Sequence, residues 1–478
     1  MLLERILVVL YLLGCIGIGI VASRRVLSSK DEFWVAGRSI GTTINAMAIM
    51  AALASGGSII GVMGLAYSQG IPATLALFAG SILGFPIASI LVAKPLRNFG
   101  RYTITDFLGY RYPSPWVRYL VPVFIVIAFV IYMVAQLKAA GITATALLGI
   151  PYDTALALST VVFVTYVSFG GMIAITWTDV IQGFLMLFVV IGTALFFMWN
   201  VGSPLEIMSQ ATEVAPELGR LPDQSSSGYI GFFVIWATAI PVIPHIVMRV
   251  YTAKDASSAK KSLNLAMIAY SAIILAATLA IVPMGRIDFP VLQDADQLFL
   301  KVMEMHFPPL VRGIAVAAVL AAVMSTTDAL LLACSSAVAH DLFGNITKGR
   351  SSEKTLKRVR LGSTWLIGLA ALLWAFSPPE LISQFYTAGV GLLSSSLFVP
   401  TIAGIWWKRA NKTGGVAALT AGALVYALGA LGLVDYPVAP VVVALLCSLA
   451  AMIAGGLLGE AETDEMLSEV EKLHLDQS

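Results

Sequence analysis

Apolar residues in this chain come in runs of about 20 separated by short polar stretches, without the strict alternation of strands. About 20 apolar residues in helical conformation cross the hydrocarbon core of a bilayer. Such runs lie near residues 3–23, 40–69, 72–93, 117–148 and 151–169, ahead of the pair Gly170-Gly171. They continue near 173–199, 229–248, 262–284, 310–340, 359–377, 381–407, 413–433 and 437–458. The pattern predicts an all-α polytopic membrane protein with about 13 transmembrane helices. The first run is followed by Arg24 and Arg25, whereas a signal peptide carries its positive charges ahead of the apolar stretch, so it reads as a retained helix. The longest connections, 200–228 and 285–308, are too short to bury a core of their own.

Composition agrees, with 58% of the 478 residues hydrophobic and 12% charged. The net charge of +2 comes from basic residues scattered through short loops, so no nucleic-acid partner is expected. Those loops also fix an orientation. Assigning the N-terminus outside puts 23 of the 29 Lys and Arg residues in cytoplasmic loops, among them Arg111 and Arg249. The tail after Gly459 is then cytoplasmic, in a plasma-membrane protein for which no obligatory protein partner is predicted. Cys15, Cys334 and Cys447 all fall within predicted spans and suggest no disulfide or metal motif. No zincin, nucleophile-elbow or phosphate-loop motif supports an enzyme. A solute-sensing receptor would need an output domain that the short tail from Glu460 does not supply, and a channel is the remaining class.

Two spans are interrupted. Ala51-Ala52-Leu53-Ala54-Ser55-Gly56-Gly57-Ser58 breaks the second, and Ala239-Ile240-Pro241-Val242-Ile243-Pro244 the seventh. If each opens a five-helix unit, the breaks correspond in two oppositely oriented halves, the pattern of an inverted-repeat transporter. Close helix packing is another use for such small residues. In the run Ala321-Ala322-Val323-Met324-Ser325-Thr326-Thr327-Asp328, oxygens at 322, 325, 326 and 328 fall at helical spacings of three and four and share a face suited to a small cation. Bonding of the Ser325 and Thr326 hydroxyls back to their own helix is the alternative.

These segments, with Phe33-Trp34-Val35-Ala36-Gly37-Arg38, Gly100-Arg101-Tyr102-Thr103, Phe169-Gly170-Gly171-Met172, Trp177-Thr178-Asp179 and Pro244-His245 with Arg249, resemble the sodium/solute symporter family from Phe33 to about Gly456. Within it, Gly149-Ile150-Pro151-Tyr152 and Trp407-Lys408-Arg409-Ala410-Asn411 are similar to pantothenate permeases, and Leu96 to Thr103 to acetate permeases. Proline permeases share the Ala-Ala-Val-Met-Ser-Thr run. The resemblance implies a 5+5 inverted-repeat, leucine-transporter-type core over 40–407 (halves 40–199 and 229–407), with 1–39 before it, two helices over 408–458 and a tail over 459–478. It also implies a sodium site formed by the carbonyls of Ala51, Ala54 and Ala322 and the hydroxyls of Ser325 and Thr326.

The chain departs from proline permeases at Leu53, where they carry an aspartate. Some members place a second sodium between the aspartate matching Asp179 and serines whose positions here read Asp328 and Ala329. Asp179 and Asp328 could therefore hold a second cation or share a proton; Asp179 as a satisfied helix-end residue is the bland reading. Lys138 could snorkel, pair with Asp328, or meet an anionic substrate. The resemblance points to Gln69, Tyr132, Gln136, Trp236, Gln384 and Thr387 as substrate contacts. The function expected is sodium-coupled symport of a small organic solute, foremost a monocarboxylate of the acetate, pyruvate or pantothenate kind. Proton coupling through Asp179 and Asp328, or a sugar, sialic acid or amino-acid substrate, are the alternatives.

Overall fold

The computed structural model describes residues 2–26, 30–220, 226–378 and 381–475. Among them it is helical throughout, with a lone backbone bridge between Ile40 and Ala253. Helix α1 (Leu2–Val26) and the short α2 (Lys30–Val35) precede a bent pair, α3 (Thr42–Leu53) and α4 (Val62–Gln69), joined through a wide turn at Gly57–Gly61. There follow α5 (Ile71–Ile87), α6 (Ala93–Phe99), α7 (Ile104–Arg111), α8 (Pro115–Leu148) and α9 (Tyr152–Val201). The second half begins after α10 (Pro204–Val214) with α11 (Ser226–Ala239) and α12 (Pro244–Thr252), then α13 (Ala256–Ala276), α14 (Val282–Asp288) and α15 (Leu298–His306). It ends with α16 (Pro309–Ser336), α17 (Phe343–Ile346), α18 (Glu353–Ala375) and α19 (Ile382–Trp406). The hairpin α20 (Lys412–Ala430) and α21 (Pro440–Leu458) packs on α19, and α22 (Asp464–Lys472) closes the chain.

Among the described residues, ten helices are long and apolar enough to span, eleven when the bent pair α3/α4 is taken as one. The expected thirteen also included the first part of α9, a short apolar helix over Tyr152–Ser168, and α18, whose first turns carry Glu353, Lys354, Lys357 and Arg358. Helix α9 is two helices in one: Gly171 adopts φ 60°, ψ −177°, and a side chain there would collide with Phe33 at 2.8 Å. The most apolar stretch of α16 is 89% buried against 22% for α1, so α16 is the axis of the molecule and α1 lies at its edge, against α9 and α16.

Two basic residues assigned to loops are interior. Arg111 is fully buried in α7, donating to the carbonyls of Gly404 (3.0 Å) and Ala410 (2.5 Å) and pairing with Glu462 at 3.3 Å. Arg249 lies inside α12, which runs to Thr252, and is equally buried.

Lys138 differs from two of its expectations. It neither snorkels nor pairs with Asp328: its side chain is 7% exposed and its ammonium donates to Asp296 Oδ2 at 2.8 Å. The reason is one of level. Ala139 faces Gly56 and Val323, while Asp328 lies five residues further along α16, about 7.5 Å away at helical rise. Asp296 sits between α14 and α15, on the face the charge pattern predicts to be external, and its Oδ2 also accepts from the Ile382 amide at 3.3 Å. A Cβ on Gly64 would lie 2.5 Å from Asp296 Oδ1, so this carboxylate joins α4, α8 and α19.

Removing one member of a buried ion pair strands the other, at a cost of about 3–5 kcal/mol. Asp296→Ala should therefore lower the thermal midpoint of the purified protein by several degrees, and adding Lys138→Met should recover more than half of that loss. An additive double variant would mean that the two side chains are energetically independent.

Candidate functional site: the break between α3 and α4

Helix α3 loses its hydrogen-bond ladder at a definite place. Ala54 N still reaches Met50 O at 2.7 Å, but Ser55 N turns to Leu53 O at 2.8 Å and Gly56 N to the Gln136 side-chain oxygen at 3.1 Å. In an intact helix those two amides would serve the carbonyls of Ala51 and Ala52. Ser58 N, which would serve Ala54, bonds to Ser55 instead. The two halves diverge by 58°. The glycines do both things the sequence suggested: they permit the break, and they permit close approach. A Cβ on Gly56 would lie 2.5 Å from Val323, and one on Gly57 2.7 Å from Tyr386.

Hydroxyls of α16 take up the freed carbonyls. Ser325 Oγ donates to Ala51 O at 2.8 Å and lies 3.1 Å from Ala322 O, and Thr326 Oγ1 donates to Ala52 O at 3.0 Å. Ala51, Ala322, Ser325 and Thr326 thus meet across α3 and α16, with Ala54 at the bend itself (φ −72°, ψ 68°). Back-bonding within α16 is present for Ser325 alongside the cross-helix contact, whereas Thr326 points to the other helix. Neutral oxygens converging from an unwound turn suit a monovalent cation.

The second break parallels the first. Pro241 and Pro244 cannot donate to the carbonyls of Ala237 and Ile240, and the chain turns through Val242 N and Ile243 N, both on Ala239 O at 2.8 Å. Between the breaks lies an aromatic cluster. Tyr132 stacks on Tyr386 (5.3 Å, 22°), and Trp236 meets Tyr386 edge-on at 5.7 Å. Around it the buried Tyr132 hydroxyl, Gln136 Nε2, Trp236 Nε1, Ser383 Oγ and Thr387 Oγ1 have no hydrogen-bond partner. An unpaired buried polar atom costs about 1–3 kcal/mol, so a polar occupant would be favoured here.

Of the substrate residues expected, Tyr132, Gln136, Trp236 and Thr387 belong to this cluster. Gln384 does not, being exposed on the far side of α19, and Gln69 ends α4, about 20 Å from the break at helical rise. Tyr386 was missed. Positions 383, 386, 387 and 390 share the buried face of α19, and that periodicity, rather than the attraction of an amide, is the signal that finds it.

Asp179 is buried and paired with Arg249, which also donates to Thr176 Oγ1 at 2.6 Å. It is no helix-end residue at a water interface. Asp328 is fully buried with neither carboxylate oxygen hydrogen-bonded, within electrostatic range of Asp179 and Arg249. One turn before it, Met324 accepts a long contact from the Tyr11 hydroxyl at 3.9 Å, which in turn accepts from Gln182 Nε2 at 2.9 Å. The compartment holding Asp179 and Asp328 is therefore walled by α1, α9 and α16.

Residues 33–422 match the model of the sodium:solute symporter family. The sodium/pantothenate symporter of Escherichia coli (strain K12) is 29% identical over 465 residues, spanning 94% of this chain and 95% of that one. Among solved structures, a substrate-bound, outward-open Na+-coupled sialic acid symporter superposes with a TM-score of 0.80 at 17% identity, over 96% of this chain and 98% of that one. MhsT in complex with L-phenylalanine does so with a TM-score of 0.57 at 14% identity, over 88% and 98%. A broken first core helix facing hydroxyls of the eighth, and a match over most of its length, make this chain a member of the sodium:solute symporter family.

Proposed function

We propose that the protein imports a small monocarboxylate of the pantothenate kind together with sodium, by alternating access across the plasma membrane with the N-terminus outside and the C-terminal tail inside. The observation that carries the sodium half is the meeting of Ser325 with the Ala51 and Ala322 carbonyls at the break. The core 40–407 would supply the moving parts. The substrate half is supported by the E. coli relative and by the donors of the aromatic cluster, Gln136 Nε2 and Trp236 Nε1, which suit carboxylate and hydroxyl oxygens. Lys138 is held by Asp296, which favours the cluster's neutral donors as the carboxylate contacts.

A second reading concerns charge. One sodium ion and one monocarboxylate anion together carry none, so the membrane potential would not help their entry. A second monovalent cation would add one net charge, worth about 2.3 kcal/mol per 100 mV. The unpaired Asp328, next to an Asp179 already matched by Arg249, favours such a second cation, sodium or proton.

Purified protein in detergent should gain thermal stability in sodium chloride over potassium chloride, and gain further from one carboxylate in a sodium-dependent manner. Pantothenate, acetate and pyruvate, with proline, a sugar and sialic acid for comparison, form the panel. Ser325→Ala and Thr326→Ala should each raise the sodium concentration for half-maximal effect at least tenfold while the folded protein persists in potassium. Sodium sensitivity unchanged in both would place the ion elsewhere.

Monocarboxylate uptake in proteoliposomes should generate an inward positive current, lost in Asp328→Asn while sodium-dependent substrate binding survives. An electroneutral wild-type protein would remove the second cation. A current that follows an imposed pH gradient in the absence of a sodium gradient would identify it as a proton.

A further inference from the structure

On the face opposite Asp296, the end of α16 meets the start of α7 in a group of side chains that sodium-coupled transport does not use. Helix α7 opens with a capping box: Asp106 N donates to Thr103 Oγ1 at 3.0 Å, while Asp106 Oδ2 accepts from the amides of Tyr102 and Thr103 at 3.1 and 3.2 Å. The box fixes one carboxylate oxygen and leaves the other turned toward α16. There the helix departs from its regular ladder in a wide turn over Ala337–Leu342, which carries His340 and Asp341 side by side. His340 Nε2 lies 3.3 Å from both Asp106 oxygens and 4.0 Å from Asp341 Oδ1. Thr103 Oγ1, already part of the box, donates to Asp341 Oδ1 at 3.1 Å.

We propose that Asp106, His340 and Asp341 form a binding site for a first-row divalent transition-metal ion of the Zn2+ and Mn2+ class, clipping α7 to the end of α16. One ligand atom from each residue falls within 4.8 Å of the others. Metal–ligand bonds of about 2.0–2.2 Å require adjacent ligand atoms about 3.0–3.6 Å apart, so small side-chain rotations close the set. A second observation points the same way: Asp341 is 3% exposed, and its Oδ2 has no hydrogen-bond partner. Two carboxylates and a neutral imidazole carry two negative charges, the complement of a divalent ion, and the imidazole selects transition metals over Mg2+ and Ca2+.

The surroundings provide both orientation and access. The His340 ring is held edge-on by Tyr102 at 5.3 Å and flanked by Trp34 at 6.3 Å. A cavity of about 400 Å³ lined by Thr105, Asp106, His340, Asp341 and Asn345 adjoins the three ligands and has room for the waters that complete a coordination shell. Arg101 and Arg118 also line it and weaken the field for a cation, so a singly charged ion is a poor match and a divalent one is required to compete. A proton on His340 is the rival neutralising group, satisfying the carboxylates without any metal.

The test uses the full-length protein, free of any histidine tag and stripped with EDTA. Equilibrium dialysis should give one saturable Zn2+ or Mn2+ per chain, with a thermal midpoint raised by several degrees that EDTA reverses and that Mg2+ does not reproduce. His340→Gln and Asp341→Asn should each weaken Zn2+ binding at least tenfold. No saturable site in the unaltered protein, or undiminished affinity in His340→Gln, overturns the proposal in favour of the protonated imidazole or adventitious surface binding. His340 is half-buried, so its variant decides the matter if Asp341→Asn does not fold.

Discussion

Within a bilayer a backbone carbonyl has no water to turn to, so every residue taken out of a helix must find its partner inside the protein. That constraint organises this molecule. The break after Leu53 releases the carbonyls of Ala51 and Ala52 in the middle of a span. Only another element can satisfy them, and α16 does so with Ser325 and Thr326. The most buried helix is therefore also the one bearing hydroxyls at this level. The same constraint explains Gln136, whose side-chain oxygen accepts the Gly56 amide and stands in for the missing helical carbonyl. A hydroxyl bonded to a freed carbonyl is a switchable arrangement, because the hydroxyl oxygen and the carbonyl can both turn their lone pairs to a cation when the hydroxyl proton rotates away.

What the sequence made legible was whatever follows from period and cost. Runs of about 20 apolar residues announce spans, and hydroxyls inside them announce a working face, since lipid penalises them otherwise. Gly56-Gly57 and Pro241 with Pro244 could be matched because backbone chemistry is local. Position across helices was not legible. Lys138 could be given three fates from its own helix, and its actual partner, Asp296, lies 158 residues away in a segment that reads as an ordinary polar loop. Arg249 was counted as a loop cation because the apolar run ends at residue 248; its pairing with Asp179 spans two helices distant in the chain. Gln384 was favoured for its amide, yet it lies about 200° around α19 from Tyr386, so it turns outward while Tyr386 faces the breaks.

The two ion pairs differ in what they accomplish. Lys138–Asp296 joins a peripheral turn to three helices near one face, and each partner depends on the other for its burial. Arg249, on α12, instead serves two elements of the other half: its guanidinium holds Asp179 on α9, while its own carbonyl accepts from Asn45 at 3.0 Å at the start of α3. The broken half-helix α12 is thereby tied both to the first half-helix, α3, and to α9. Asn45, Arg249 and Asp179 thus form a path of contacts from the start of α3 to the Asp179 compartment that does not pass through the aromatic cluster.

That path bears on how charge is balanced at depth. The compartment bounded by α1, α9 and α16 brings together two carboxylates and one guanidinium, a deficit of one positive charge. Burying an unmatched carboxylate costs several kcal/mol even after relaxation, more than the Tyr11 hydroxyl or the Gln182 amide could return, and neither of them reaches Asp328. A proton or a monovalent cation would remove the deficit, and each would do so at a single carboxylate rather than at a shared pair, because Arg249 already pairs with Asp179. Helix α1 lies outside the repeated core, but through Tyr11 and Cys15 it forms one wall of the place where that balance is struck. Its removal would leave Gln182 of α9 without the Tyr11 and Cys15 partners it has there.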